Sequence, residues 1–341
     1  MKKVLFLFFA LWSCIISGFG QVTFKIDGFS EKYYGKAYFS DTSEVFSEGW
    51  VAVYDRKTNK KLIQVDADEL SFDLHDYQLK ANIAEIPYGE HSVLIYEDFN
   101  FDGKKDFALM DGQHGCYHGP SFQIFLASNN GFTFSSGFTE LAQENCGMFS
   151  VDEEEKTIST MTKDGYGWHK FSTYIVKDNE PFLIRTLIED VRNEPINIIT
   201  TEEWDGKKMV EKSTTTFNIE SEYIKSLFTF HVDKQNKDII LYSGDGRQLY
   251  YTITKSNGEF ELLYPDLNKE GKKDFYYSRK KNALSFWNKD TEYTITDVNG
   301  IAGINILTKG KTYQWKGSPK RRKGSLATLL KEAFDNVSYG N

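Results

Sequence analysis

The chain has 341 residues, with 49 acidic against 41 basic and a formal charge of −8. That acidic balance argues against a general nucleic-acid binder, whose footprint is net basic. Hydrophobic residues at 40% and aromatics at 16% suffice for a core and exclude intrinsic disorder.

In chain order, the first feature is an export signal. Lys2 and Lys3 precede a nearly all-apolar run from Val4 to Ile16, shorter than the roughly 20 residues a spanning helix needs. The pattern predicts a signal peptide over residues 1–20, with Gly18 and Gly20 as small residues before cleavage. A second reading makes Cys14 a lipoprotein acceptor, but Trp12 is bulky for that role. No later apolar run approaches a membrane span, so the expectation is a periplasmic or secreted chain without a transmembrane segment. Once Cys14 leaves with the signal, Cys116 and Cys146 remain as an even pair in an oxidising compartment, and a disulfide between them is expected over two buried thiols.

From Gln21 onward, runs rich in Phe, Tyr, Val, Ile and Thr alternate with Gly, Asn and Asp turns. Strands are predicted at Val22–Ile26, Trp50–Tyr54, His91–Glu97, Phe122–Leu126, Phe171–Val176, Phe182–Ile188 and Ile196–Thr201. Asn129-Asn130-Gly131 reads as a hairpin turn, and Asp164-Gly165 and Asp205-Gly206-Lys207 as further turns. The rhythm pauses near Asn218–Lys225 and resumes at Leu227–Val232, Asp238–Tyr242, Gln248–Thr254, Phe260–Tyr264, Ser285–Trp287, Tyr293–Ile295 and Ile304–Leu307. No segment before residue 320 holds a helical period over three turns. The lysines and arginines between Lys309 and Lys323 read as a solvated loop. Ser325 caps a short helix with Leu326, Leu329, Leu330, Ala333 and Phe334 on one face. The fold class expected is all-β: a propeller-like or sandwich domain over 21–217, then a second antiparallel β domain over 218–341 with a short C-terminal helix.

The motif that carries chemistry is Asp98-Phe99-Asn100-Phe101-Asp102-Gly103-Lys104-Lys105-Asp106. Ca²⁺ takes six to eight hard oxygens, and alternate positions of a tight loop can converge on one ion. The spacing predicts Asp98, Asn100, Asp102, the Lys104 carbonyl and Asp106 as ligands, with Gly103 permitting the turn. Without a cation, three carboxylates in one short loop repel. An EF-hand would place Glu at the twelfth position, where Leu109 stands, and both flanks are strand-like. Asp266, Asn268, Glu270, Lys272 and Asp274 repeat the pattern as a weaker calcium loop, and both loops run into the string Gly-Lys-Lys-Asp-Phe. The longer Glu270 arm fits less tightly than Asp102.

Other signals are weaker. His114, Cys116 and His118 have zinc-like spacing on a glycine-rich loop that does not preorganise them, and an oxidised Cys116 cannot ligate. Neither a nucleophile elbow nor a phosphate-cradling glycine loop is present. Trp50, Trp168, Trp204, Trp287 and Trp315 read as core and not as a sugar platform.

The stretch from Tyr88 to Val176 carries the order strand, calcium loop, glycine-rich loop and Phe-Gln-Ile-Phe-Leu. It resembles a family of bacterial periplasmic proteins built on a β-propeller-like domain with such a calcium loop. Members of that family include immunity proteins that block lysozyme-like, peptidoglycan-cleaving effectors. The resemblance implies Asp98, Asn100, Asp102 and Asp106 as Ca²⁺ ligands; no inhibitory residues carry over. The expected function is therefore a non-catalytic, exported, calcium-stabilised protein that binds or inhibits a cell-wall hydrolase. The rival expectation is a cell-surface adhesion or glycan-binding module.

Overall fold

The computed structural model describes residues 22–85, 89–244, 247–265 and 273–340. The expected signal over 1–20, Cys14, and Asp266, Asn268, Glu270 and Lys272 of the second loop lie outside those residues.

Among the described residues the chain is all-β apart from one α-helix and one 3-10 turn. The first sheet is the antiparallel meander β1 (Val22–Ile26), β2 (Tyr33–Phe39), β3 (Ser47–Asp55) and β4 (Lys61–Leu70). The second is β5 (Leu94–Glu97), β6 (Asp106–Gly115), β7 (Gly119–Ser128) and β8 (Gly131–Ser135), followed by helix α1 (Ser136–Gln143). The third runs β9 (Ser150–Asp152), β10 (Thr157–Asp164), β11 (Trp168–Lys177), β12 (Glu180–Asn193), β13 (Ile196–Trp204) and β14 (Met209–Phe217). The fourth holds β15 (Lys225–Val232), β16 (Lys237–Ser243), β17 (Leu249–Lys255) and β18 (Phe260–Tyr264). The fifth holds β19 (Phe275–Ser278), β20 (Ala283–Asn288), β21 (Thr291–Val298), β22 (Ile301–Thr308) and β23 (Lys311–Lys316). Two late strands return to earlier partners: β24 (Arg322–Gly324) adds to β15, and β25 (Val337–Gly340) pairs parallel with β19. Neighbours in sequence are otherwise neighbours in the sheet, as short tight connections favour.

The chain divides into two compact units: residues up to Thr162 with Ser172–Ile184, and Lys163–Phe171 with Arg185 onward. In the first, the inward positions of β2, β3 and β4 (Ala37, Val51 and Val65) alternate with outward Tyr38, Trp50 and Asp66. The buried row meets Phe99, Phe107, Phe122, Phe138 and Phe149 in one apolar core. In the second, Phe228, Phe230, Leu241, Tyr251, Phe275, Phe286 and Ile304 form the core.

The structure adds one short helix and corrects three sequence expectations. Helix α1, eight residues and so under three turns, lies before residue 320; Ser135 caps it by accepting the Phe138 N–H, and Phe138, Leu141 and Ala142 are buried. The expected C-terminal helix is a five-residue 3-10 turn, Leu326–Leu330, capped by Ser325 as predicted. The basic stretch is not a free loop, because it holds β23 and β24, and Arg322 pairs with buried Asp297 at 3.1 Å. None of the five tryptophans is buried: Trp50, Trp168, Trp204 and Trp315 are half-buried, and Trp287 is exposed.

Candidate calcium loop and acidic cleft

The loop from Asp98 to Asp106 joins β5 to β6 and is anchored by its aromatic residues. Phe99 is buried and packs edge-on to Phe149, with ring centroids 5.3 Å apart. Phe101 packs against the same core. Phe101 has φ 60° and Gly103 has φ 83°, so the chain folds back sharply.

The carboxylates are met by backbone N–H groups. Asp98 accepts from Asp102 N at 3.1 Å and Gly103 N at 2.8 Å. Asp102 accepts from Lys104 N at 2.8 Å and faces Lys104 Nζ at 3.3 Å. Asn100 accepts from Asp102 N at 3.3 Å and donates to Asn179 Oδ1 at 3.2 Å. Asp106 has no exposed surface; one oxygen accepts Phe99 N at 2.8 Å and the other Ala127 N at 2.7 Å. Burial pushes the Asp106 carboxyl up to about 7, against the pull of the Ala127 and Phe99 N–H groups and with a further push from Asp98 and Asp102.

Three carboxylates in one short loop repel unless a cation or other positive groups offset them. Backbone dipoles already meet much of that repulsion. Among the described residues no three His, Cys, Asp or Glu side chains form a metal-holding group. The loop's donors are nonetheless oxygens throughout, with Asn100 and a main-chain carbonyl beside three Asp, which is the chemistry of a hard divalent cation. Of the second loop's expected ligands only Asp274 is described; its N–H donates to Asn336 O at 3.0 Å and its carboxylate faces Asn336 Nδ2 at 3.5 Å.

Strand β6 leads from Asp106 to a cleft of about 650 Å³. Glu48, Asp66, Asp68, Asp111 and His114 line it, together with the stacked pair Tyr38 and Trp50, whose ring centroids are 5.9 Å apart. No Lys or Arg lines it among the described residues. Asp111 is buried and held by Ser121 Oγ at 2.6 Å and by Gln143 of α1. The β6–β7 register shifts on both sides of Gly112. A Cβ at Gly112 would stand 2.6 Å from Asp68 Oδ1 and 2.7 Å from His114 Nε2, so glycine lets these two side chains approach the strand.

Just beyond β6, Cys116 is bridged to Cys146, 30 residues away, with Cα atoms 4.8 Å apart. The expected disulfide is present, which removes Cys116 as a zinc ligand. His118 turns instead to Glu69, at 3.1 Å. The cleft was not legible in the sequence, because its acids come from three strands of two sheets. The Trp50 and Tyr38 register across β2 and β3 was the one signal that could have found it.

No protein-family model matches the chain, and no curated protein matches it. Among solved structures it is similar to a Xanthomonas type IV secretion system related protein, at 21% identity over 57% of this chain and 94% of that one, with a TM-score of 0.45. It is also similar to the β-propeller domain of the trilobed protease from Pyrococcus furiosus, at 9% identity over 89% of this chain and 96% of that one, TM-score 0.25. A putative 6-phosphogluconolactonase from Bacteroides uniformis matches at 9% identity over 85% and 83%, TM-score 0.22.

Proposed function

We propose that this chain is an exported, calcium-stabilised, non-catalytic protein that binds a lysozyme-like cell-wall hydrolase through its first unit. The observation that carries the reading is β6 itself. One ten-residue strand begins at Asp106 of the loop, supplies Asp111 and His114 to the cleft, and runs into the Cys116–Cys146 bridge. A loop, a cleft and a disulfide on one strand make a preorganised surface, which lowers the ordering cost of binding a protein partner. The cleft's acids, with no Lys or Arg in the lining among the described residues, complement a basic partner surface and favour its encounter. The likeness of Tyr88–Val176 to periplasmic immunity proteins supplies the class of partner.

Calcium would be held by Asp98, Asn100, Asp102, the Lys104 carbonyl and Asp106, replacing N–H contacts with metal–oxygen bonds. Its role there would be structural, since every side-chain ligand is used to shape the loop.

The test is a cell-lysis assay with a panel of lysozyme-type hydrolases, with and without the purified mature chain, alongside co-elution. The expected result is inhibition of at least one hydrolase, weakened by Asp66→Asn with Asp68→Asn. A panel in which no hydrolase is bound or inhibited sinks the reading. The glycan-binding alternative has its own observation, in the second unit.

A further inference from the structure

The second unit contains a cleft of about 360 Å³, within the size range of small-molecule sites. Its walls are four tyrosines, Tyr166, Tyr223, Tyr242 and Tyr250, with Arg192 and Glu194 among them. Tyr242 is only 1% exposed, and its hydroxyl has no hydrogen-bond partner. Its ring is fixed between Phe217, centroid at 4.9 Å, and Tyr250, stacked at 5.4 Å. Burial pushes its phenol well above the usual tyrosine range, so it is a neutral hydroxyl at every physiological pH. Buried hydroxyls mostly find a partner in native folds, ordered water included. Of the two buried tyrosine hydroxyls without one among the described residues, Tyr242 and Tyr251, only Tyr242 belongs to the lining of this cleft.

The rest of the cleft narrows what that could be. Tyr166 and Tyr223 are exposed and both line the cleft, so each offers an accessible aromatic surface to it. Arg192 is held by Asp190, with Nη2 at 2.8 Å, and by Asp164 at 3.3 Å. Its charge is therefore already met, and an anionic ligand gains little from it. Glu194, also in the lining, accepts from Ser221 Oγ. Aromatic faces for C–H surfaces, with fixed donors and acceptors of balanced charge between them, suit an uncharged polyol.

We propose that this cleft binds a neutral saccharide, with Tyr166 and Tyr223 stacking against the ring and the Tyr242 hydroxyl completed by a sugar hydroxyl. The proposal is independent of the hydrolase reading, which uses first-unit residues.

The experiment titrates the full mature chain with neutral oligosaccharides of glucose, N-acetylglucosamine, mannose and galactose, by calorimetry and saturation-transfer NMR. The expected result is binding of at least one. Tyr242→Phe should weaken it about tenfold, the scale of one lost hydrogen bond. The same variant should leave the melting temperature unchanged or higher, because it removes an unpartnered buried group. Tyr223→Ala, at an exposed position, should abolish binding without unfolding the protein. The proposal is overturned if none of the four sugars binds, if an aromatic peptide binds in their place, or if Tyr242→Phe binds as tightly as wild type.

Discussion

Asp106 accepts the backbone N–H of Ala127 at 2.7 Å, across 21 residues of chain, and so ties the loop before β6 to β7. Its other oxygen holds Phe99 N. Asp106→Ala leaves both N–H groups unpaired beside the core, and urea unfolding should show a loss of roughly 3 kcal/mol. A loss under about 1 kcal/mol would mean the loop re-forms its bonds elsewhere.

Calcium should add to this. At 100 times the dissociation constant it would contribute about 2.7 kcal/mol, which raises the melting temperature by roughly 5–10 °C for a unit of this size. Chelation should reverse the shift, and Asp102→Ala should abolish it. Asp274→Ala should have a smaller effect. An unchanged melt with EDTA and no heat of calcium binding would leave the loop a purely hydrogen-bonded turn.

The Cys116–Cys146 bridge closes a loop with a sequence separation of 30, and the chain-entropy model gives about 3–4 kcal/mol for that span. Reduction should lower the wild-type melting temperature and leave the Cys116→Ala/Cys146→Ala double variant where it was. Equal sensitivity of both proteins to reductant would contradict the bridge.

Asp297 supplies a pH test in the second unit. Burial pushes its carboxyl up, but Arg322, the Leu326 N–H and Ser325 together outweigh burial and hold it below the usual range. A depressed carboxyl stabilises the fold above its unfolded value, near pH 3.9, and the gain is lost as pH falls through the lower folded value. Asp297→Asn should cost about 3 kcal/mol at pH 7, since it strands the Arg322 charge. The gap to wild type should close below about pH 4. A gap that persists at pH 2 would assign the loss to packing and not to charge.

Asn336 is buried and grips Leu249 twice, its Oδ1 accepting the N–H and its Nδ2 donating to the carbonyl, each at 2.9 Å. Asn336→Ala should destabilise the second unit by about 3 kcal/mol in thermal or urea unfolding. Near-neutral behaviour would mean that solvent reaches both groups.

Val22–Ile26 declared itself in sequence by a single apolar face, and the structure reproduces it end to end. Phe260–Tyr264 is reproduced likewise, with Leu262 and Tyr264 packed on one apolar cluster and Phe260 and Leu263 on another. Strand β2 was not among those named, because Tyr34 and Tyr38 place aromatics on its outer side as well and flatten the alternation. Tyr34 is buried by stacking on Tyr54, centroids 5.2 Å apart, and not by the core. Helix α1 is eight residues long and shows too little period to register. The Asp98–Asp106 loop was legible because its side chains answer its own backbone. The two clefts were not, since strand pairing brings together residues that are far apart in the chain.

The return of β24 to β15 and of β25 to β19 has a consequence for how the protein meets other chains. The edges of β15 and β19 are covered by strands from the end of the chain, at Arg322–Gly324 and Val337–Gly340. A covered edge offers no row of unpaired N–H and C=O groups to another chain. Removing Val337–Gly340 should bare the β19 edge and promote self-association.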